Sequence, residues 1–144
     1  MILWRISNYA TLDGEGGMYA SGRWHTTERR IIYTSDHPAT TLLEMLVHLD
    51  PVAKPKFYQL IKIEAAKGLA IKSLQNMPQN WQNQSAITQA IGNEWLDQGQ
   101  SAILAAPSAI VPETLNYLIN PLHPEAARLK IIDVQAVPLD ERLK

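Results

Sequence analysis

Residues 21–35, SGRWHTTERRIIYTS, decide how this chain is read. A glycine–arginine pair, Gly22 and Arg23, opens the stretch. A β-branched and aromatic run over residues 30–34 follows, the composition of a buried strand. Tyr33 and Ser35 close it. Pro38 then suits the first turn of a helix, with Asp36 as its expected cap. That helix should run to His48 or Leu49 and stop before Pro51, because a residue ahead of proline is driven out of the α region. It carries Glu44, nine residues beyond Ser35.

Working outward, Ile2–Ile6 reads as a short strand, apolar on both sides of Arg5. Residues 11–17 (TLDGEGG) read as a turn, since three glycines within four residues tolerate positive φ. Residues 51–56 form a proline-rich connection, residues 57–64 alternate as a half-buried strand should, and residues 68–72 suit another short strand. Residues 76–84, rich in Asn, Gln and Pro around Trp81, read as a long loop. Ser85 is the expected cap of a helix through Leu96, with Gly99 near its end. Residues 100–105 return as a strand, with a turn at residues 107–108 and an extended pair at 110–111. Residues 116–124 (NYLINPLHP) read as ordered loop, residues 125–129 as a short helix, and residues 130–137 as the closing strand. Strands outnumber helices and are joined mostly by loops. That predicts an α+β fold in a single domain, residues 1–144, and argues against a doubly wound parallel sheet.

Composition excludes several classes. A net charge of -1 and a pI near 6.4 create no field that favours a phosphate backbone, so nucleic acid is not the expected partner. The chain has no cysteine, hence no disulfide framework and no thiolate nucleophile or metal ligand. The opening MILWRIS shows no basic segment followed by a long apolar one, and no run approaches the ~18 apolar residues of a membrane span. A cytoplasmic protein is the plain expectation. His25, His37, His48 and His123 lack metal-ligand spacing, the glycines at 14–17 form neither GxGxxG nor a P-loop, and no GxSxG elbow is present.

On the helix, Leu42, Met45, Leu46 and Leu49 share one face at ~100° per residue, while Thr40, Thr41, Glu44 and His48 gather on another arc. Spacing alone does not distinguish a solvated polar stripe from one facing a cleft. Arg23 is equally compatible with stacking on Trp24, Tyr33 with a core position, and Ser108 with a turn. Arg5 in an apolar strand requires a partner or an anionic ligand. A cationic clamp, a stacking ring and one carboxylate can together break the bond between a sugar and a positively charged base.

The order WRIS (4–7), LDGEGG (12–17), SGRWH (21–25), IYTS (32–35), LLEMLVHL (42–49), GNEWL (92–96), APSAIVP (106–112) and NYLINPLHP (116–124) resembles the RES-domain proteins. Those are the toxin halves of bacterial RES–Xre toxin–antitoxin pairs. The resemblance spans nearly the whole chain and is weakest over residues 50–82. It implies an ADP-ribosyltransferase-like α+β fold with a split β core around an NAD cleft. The family's name-giving arginine, glutamate and serine match Arg23, Glu44 and Ser108, the implied catalytic residues. Arg5, Arg23, Tyr33, Ser108 and Asn116 are the implied contacts to NAD. The implied activity is growth-inhibiting NAD degradation by hydrolysis or phosphorolysis, with NAD as substrate and no metal. Transfer of ADP-ribose to a protein is the alternative. The implied partner is an Xre-type antitoxin with a helix-turn-helix domain. Two other readings remain: an endoribonuclease, which the acidic pI disfavours, and an inert module that binds NAD or the antitoxin.

Overall fold

The computed structural model describes residues 1–143. Its strands are β1 (Ile2–Ile6), β2 (Ile32–Ser35), β3 (Phe57–Ala65), β4 (Ile71–Ser73), β5 (Ile103–Pro107), β6 (Leu115–Ile119) and β7 (Leu129–Pro138). They form one sheet of order β4-β5-β6-β2-β1-β3-β7, antiparallel except where β4 meets β5.

The sheet is split in the middle. β1 pairs with β3 along residues 2–6, and β2 pairs with β6 along residues 32–35. Between β1 and β2 only Trp4 and Ser35 are in register. Were that antiparallel ladder to continue, Arg5 would oppose Thr34 and Ile6 would oppose Tyr33. Instead the two half-sheets part beyond a single rung.

Side-chain alternation gives each face of the sheet its own core. Ile32, Ile103 and Ile119 pack with Leu3, Ile61 and Ile63 across the split, so one cluster holds both half-sheets together. The alternate residues Leu104, Ala106 and Leu118 pack with Trp24, Trp81 and Trp95. Over this second cluster lies the helix Ser85–Gln98 (α3), following the shorter helices Gly16–Tyr19 (α1) and Pro38–Leu46 (α2).

α3 fastens the segment that follows Gly22. Thr88, Gly92 and Trp95, at i, i+4 and i+7, form its buried face. The Thr88 hydroxyl donates to the Arg23 carbonyl at 2.6 Å and the Gln89 amide to the Gly22 carbonyl at 3.0 Å. Asn93 accepts from the Thr26 amide at 3.1 Å and donates to its hydroxyl at 3.0 Å. Arg29 then pairs with Asp97 at 3.1 Å. The backbone of Trp24 lies against Gly92, where an added Cβ would collide with the Trp24 carbonyl.

Several sequence expectations are corrected. The cap of α2 is His37, not Asp36: its Nδ1 accepts from the Ala39 amide at 3.1 Å. α2 ends at Leu46, because His48 and Leu49 bond back to Met45 and Leu46 and tighten the chain into a narrower turn. Ser85 is the first residue of α3 and makes no side-chain cap, while Gly99, at φ 60°, ends the helix in the left-handed conformation as expected. Residues 116–119, expected as loop, belong to β6 and are paired on both sides, by β2 and by β5. Residues 110–111 are not extended but lie in the connection from β5 to β6. Within 11–17 the turn at Gly14 runs into α1, and a 3-10 turn at Trp81–Asn83 buries Trp81 in the loop. A 3-10 turn also replaces the expected short helix, at Pro124–Arg128.

The Gly92 contact can be tested by substitution. Gly92→Ala should lower the melting temperature by roughly 5 °C or more, the scale of overpacking at a fixed backbone. Gly16→Ala, where an added Cβ meets nothing within 4 Å, should leave it nearly unchanged in the same circular-dichroism melt.

Candidate functional site

Where the half-sheets part, a cleft of about 750 Å³ opens. Arg5 and Ile6 line it from β1, Tyr33 and Ser35 from β2, Glu44 from α2 and Asn116 from β6.

Glu44 is half-buried, and its environment is asymmetric. Oε1 accepts a hydrogen bond from Ser108 Oγ at 2.7 Å and another from Asn116 Nδ2 at 2.8 Å. Among the described residues no donor meets Oε2. Ser108 is buried just beyond β5, and its Oγ accepts from the Ile110 and Val111 amides at 3.1 and 3.3 Å. With its lone pairs so engaged, the hydroxyl proton is directed at the carboxylate. The polar stripe of α2 therefore turns inward: Thr41 is buried, its hydroxyl donating to the Trp4 carbonyl at 3.3 Å. Leu43 and Val47 are instead 36% and 54% exposed. Of the two placements that spacing leaves open for the polar stripe, Glu44 and Thr41 take the one that faces the cleft. α2 turns its polar side to the sheet, because Thr41 finds an acceptor at Trp4 on β1 and Glu44 finds donors at Asn116 on β6 and at Ser108 beyond β5.

Two guanidiniums reach the cleft with no acidic partner among the described residues. Arg5 Nη1 donates to the Thr11 carbonyl at 2.8 Å and Arg23 Nη1 to the Gln82 carbonyl at 2.9 Å. The ion pairs among the described residues are Arg29–Asp97 and Arg142–Asp140, neither of which involves them. Burial lowers the pKa of Arg5, with the more distant charge of Asp13 opposing. Each guanidinium keeps donors for a ligand, since a guanidinium has five N–H groups. Such a pair suits an anion with several oxygens.

Tyr33 is held by its neighbours. Its hydroxyl accepts from the Trp24 amide at 3.2 Å and lies 2.7 Å from His25 Nδ1. His25 Nε2 lies 3.2 Å from the Gly17 carbonyl, which can only accept, so Nε2 carries the proton and Nδ1 accepts from Tyr33. Burial lowers the His25 pKa and raises that of Tyr33, which keeps both groups neutral near pH ~7. A side chain at Gly22 would strike the Tyr33 hydroxyl.

The arrangement sets one ordered carboxylate against two cations and an aromatic ring, and its elements follow one another along the chain in a recognisable order. A model of the RES domain matches residues 2–140. This chain belongs to the RES domain family. It is 43% identical to the protein named Toxin Res from Pseudomonas putida over 145 residues, covering 99% of both. It is 32% identical to the Prs ADP-ribosylating toxin of Sphingobium sp., covering 97% of this chain and 94% of that one. The split-sheet α+β fold recurs in the crystal structure of the M. tuberculosis MbcT–MbcA toxin–antitoxin complex. There the TM-score is 0.74 at 15% identity, over 95% of this chain and 84% of that chain.

In this RES domain the cleft gathers Arg5, Arg23, Tyr33, Glu44 and Asn116. Ser108 stands behind Glu44, 1% exposed, and reaches the cleft only through it. Sequence reasoning missed Ser35, His25 and Thr88. Ser35 shares a strand face with Tyr33 at period two, a signal present in the sequence. The contacts of His25 and Thr88 depend on where α3 lands, and no local pattern announces them. Among the described residues no cluster of three His, Cys, Asp or Glu side chains suits a metal ion, and no helix is long and apolar enough to cross a membrane.

The buried neutral imidazole makes stability pH-dependent. Because the folded pKa of His25 lies below its ordinary value, the unfolded chain takes up a proton below about pH 6.5 that the folded chain resists. Stability therefore falls as pH drops from about 6.5 toward the folded pKa. Melting temperatures between about pH 7.5 and 5 should fall more steeply for the wild type than for His25→Gln. Equal slopes would contradict this account of His25.

Proposed function

We propose that this protein is the toxin of a toxin–antitoxin pair and that it consumes NAD by breaking the bond between nicotinamide and ribose. One observation carries the reading. Among the described residues, Glu44 has one carboxylate oxygen tied by Ser108 and Asn116 and the other without a donor, in a cleft with two guanidiniums that have no acidic partner.

The chemistry follows from charge. In NAD the ring bonded to ribose is cationic, so it departs with the bonding electron pair as neutral nicotinamide and needs no proton from the protein. Positive charge develops on the sugar as an oxocarbenium ion, as in glycoside cleavage. Glu44 stabilises that charge and polarises a ribose hydroxyl. Ser108 and Asn116 prevent the carboxylate from rotating away, so little reorganisation accompanies the reaction. Tyr33, held by His25 and the Trp24 amide, stacks on the nicotinamide ring and fixes its plane. Arg5 and Arg23 take phosphate or ribose oxygens, for which a planar fork of donors is suited. The sugar carbon is then captured by an oxygen of water or of inorganic phosphate, the former losing its proton to solvent.

The name of the Pseudomonas putida relative supports the toxin role. The partner we assign is an Xre-type antitoxin with a helix-turn-helix domain, and the site of action is the cytoplasm, where such a pair would meet the NAD pool. The name of the Sphingobium relative favours a second reading, in which a protein side chain captures the ADP-ribose.

The test is NAD loss and nicotinamide release by purified protein, with and without phosphate. Glu44→Gln should lower the rate at least about a hundredfold, the scale of a lost electrostatic contact to the transition state. Undiminished turnover in that variant would overturn the role of Glu44. Dependence on phosphate separates phosphorolysis from hydrolysis, and release only with an added protein acceptor favours transfer. Arg23→Ala should raise KM about tenfold or more, as loss of charge-assisted hydrogen bonds to the substrate implies. A KM unchanged from wild type would remove Arg23 from the binding site.

A further inference from the structure

Ser35 is where the two half-sheets and the carboxylate network meet. Its backbone is in register with Trp4 on one side and Asn116 on the other, so it forms the single rung across the split. Its side chain is buried, and its hydroxyl donates to Asn116 Oδ1 at 3.0 Å. Nothing in the proposed reaction uses it directly.

Asn116 has two chemically different ends. A carboxylate only accepts, so the end facing Glu44 must be the NH2 group, and the opposite end is then a carbonyl oxygen that needs a donor. Ser35 is that donor. Removing its hydroxyl leaves Oδ1 without this partner at a half-buried position, and the amide gains freedom to turn away from Glu44. We infer that Ser35 is a positioning residue, whose hydroxyl fixes the Asn116 amide so that Nδ2–H stays on Glu44 Oε1. The relay runs from Ser35 through Asn116 to the carboxylate. It reaches Glu44 from β6 while Ser108 reaches it from just beyond β5, so both strands brace the carboxylate at one end of their pair. The functional consequence rests on Glu44 being the reactive carboxylate. The orientation of Asn116 does not.

A double-mutant cycle between Ser35→Ala and Asn116→Ala tests the relay, read as kcat and KM for NAD loss. Beside it stand the side-chain amide resonances of Asn116 in nitrogen–proton correlation spectra. Ser35→Ala should lower kcat about tenfold, on the scale of one hydrogen bond to a charged group, with little change in KM. It should add nothing further in the Asn116→Ala background, because both substitutions break the same relay. Ser35→Thr, which keeps the hydroxyl and suits a strand, should restore most of kcat. In the spectra Ser35→Ala should shift the Asn116 NH2 pair toward that of a freely rotating amide, and Ser35→Thr should not. Losses that multiply in the double variant, or an Asn116 amide unmoved by Ser35→Ala, would overturn the inference. The spectra require no turnover. A wild type that leaves NAD intact would overturn the functional reading alone, and the amide resonances would still decide this one.

Discussion

A half-buried carboxylate needs donors, and the architecture around Glu44 supplies two of them to the same oxygen. Ser108 comes from the end of β5 and Asn116 from the start of β6, which the register Pro107–Leu115 and Ala106–Asn116 places side by side. α2 must therefore present Glu44 and Thr41 to the sheet, and it leaves Leu43 and Val47 facing outward. A helix that followed hydrophobicity alone would turn the other way. Two hydrogen bonds to a charged group, each worth about 1.5–3 kcal/mol, are enough to offset the exposure of two partly covered aliphatic side chains.

The cleft itself follows from an interrupted ladder. Arg5 and Ile6 on one side, Tyr33 and Thr34 on the other, would have paired had β1 and β2 continued beyond Trp4 and Ser35. The isoleucine cluster beneath the split keeps the half-sheets in one body despite that gap. On the other face, α3 ties down the segment 22–29 through Thr88, Gln89, Asn93 and Asp97. Arg23 and the Tyr33–His25 pair are thereby held by a helix distant in sequence. Arg23 and the ring share the wall that α3 braces, and Arg5 lines the cleft from β1.

Much of this was legible in the chain. Strands announced by β-branched runs, at residues 2–6, 30–34 and 57–64, were found close to where composition put them. β6 was hidden because Asn116 interrupts its apolar pattern and the prolines at 121 and 124 mark the region as loop; pairing on both sides overrides that local signal. α2 ends at Leu46, short of His48 or Leu49, because the tightening of its last turn depends on the loop that follows. Among site residues, the family resemblance implies Arg5, Arg23, Tyr33, Glu44, Ser108 and Asn116 as a set; the cleft gathers all of these but Ser108, which is buried behind Glu44. What no local pattern conveyed was the second layer: Ser35 behind Asn116, His25 behind Tyr33, Thr88 behind Arg23. Those contacts join residues from 8 to 81 positions apart. The resemblance did not carry these supporting residues, whose roles emerge only once the sheet register and the seat of α3 are known.

The central claim is that Glu44 acts on the departing bond and is not chiefly a binding group. Calorimetric titration of NAD into the Glu44→Gln variant tests this directly. Glutamine keeps the shape of the side chain and removes its charge, while Arg5, Arg23 and Tyr33 are untouched. The account predicts that the inactive variant still binds NAD with an affinity within about tenfold of the substrate affinity of the wild type. A variant that is folded yet no longer binds NAD would contradict it, and would make Glu44 a residue of recognition and not of bond cleavage.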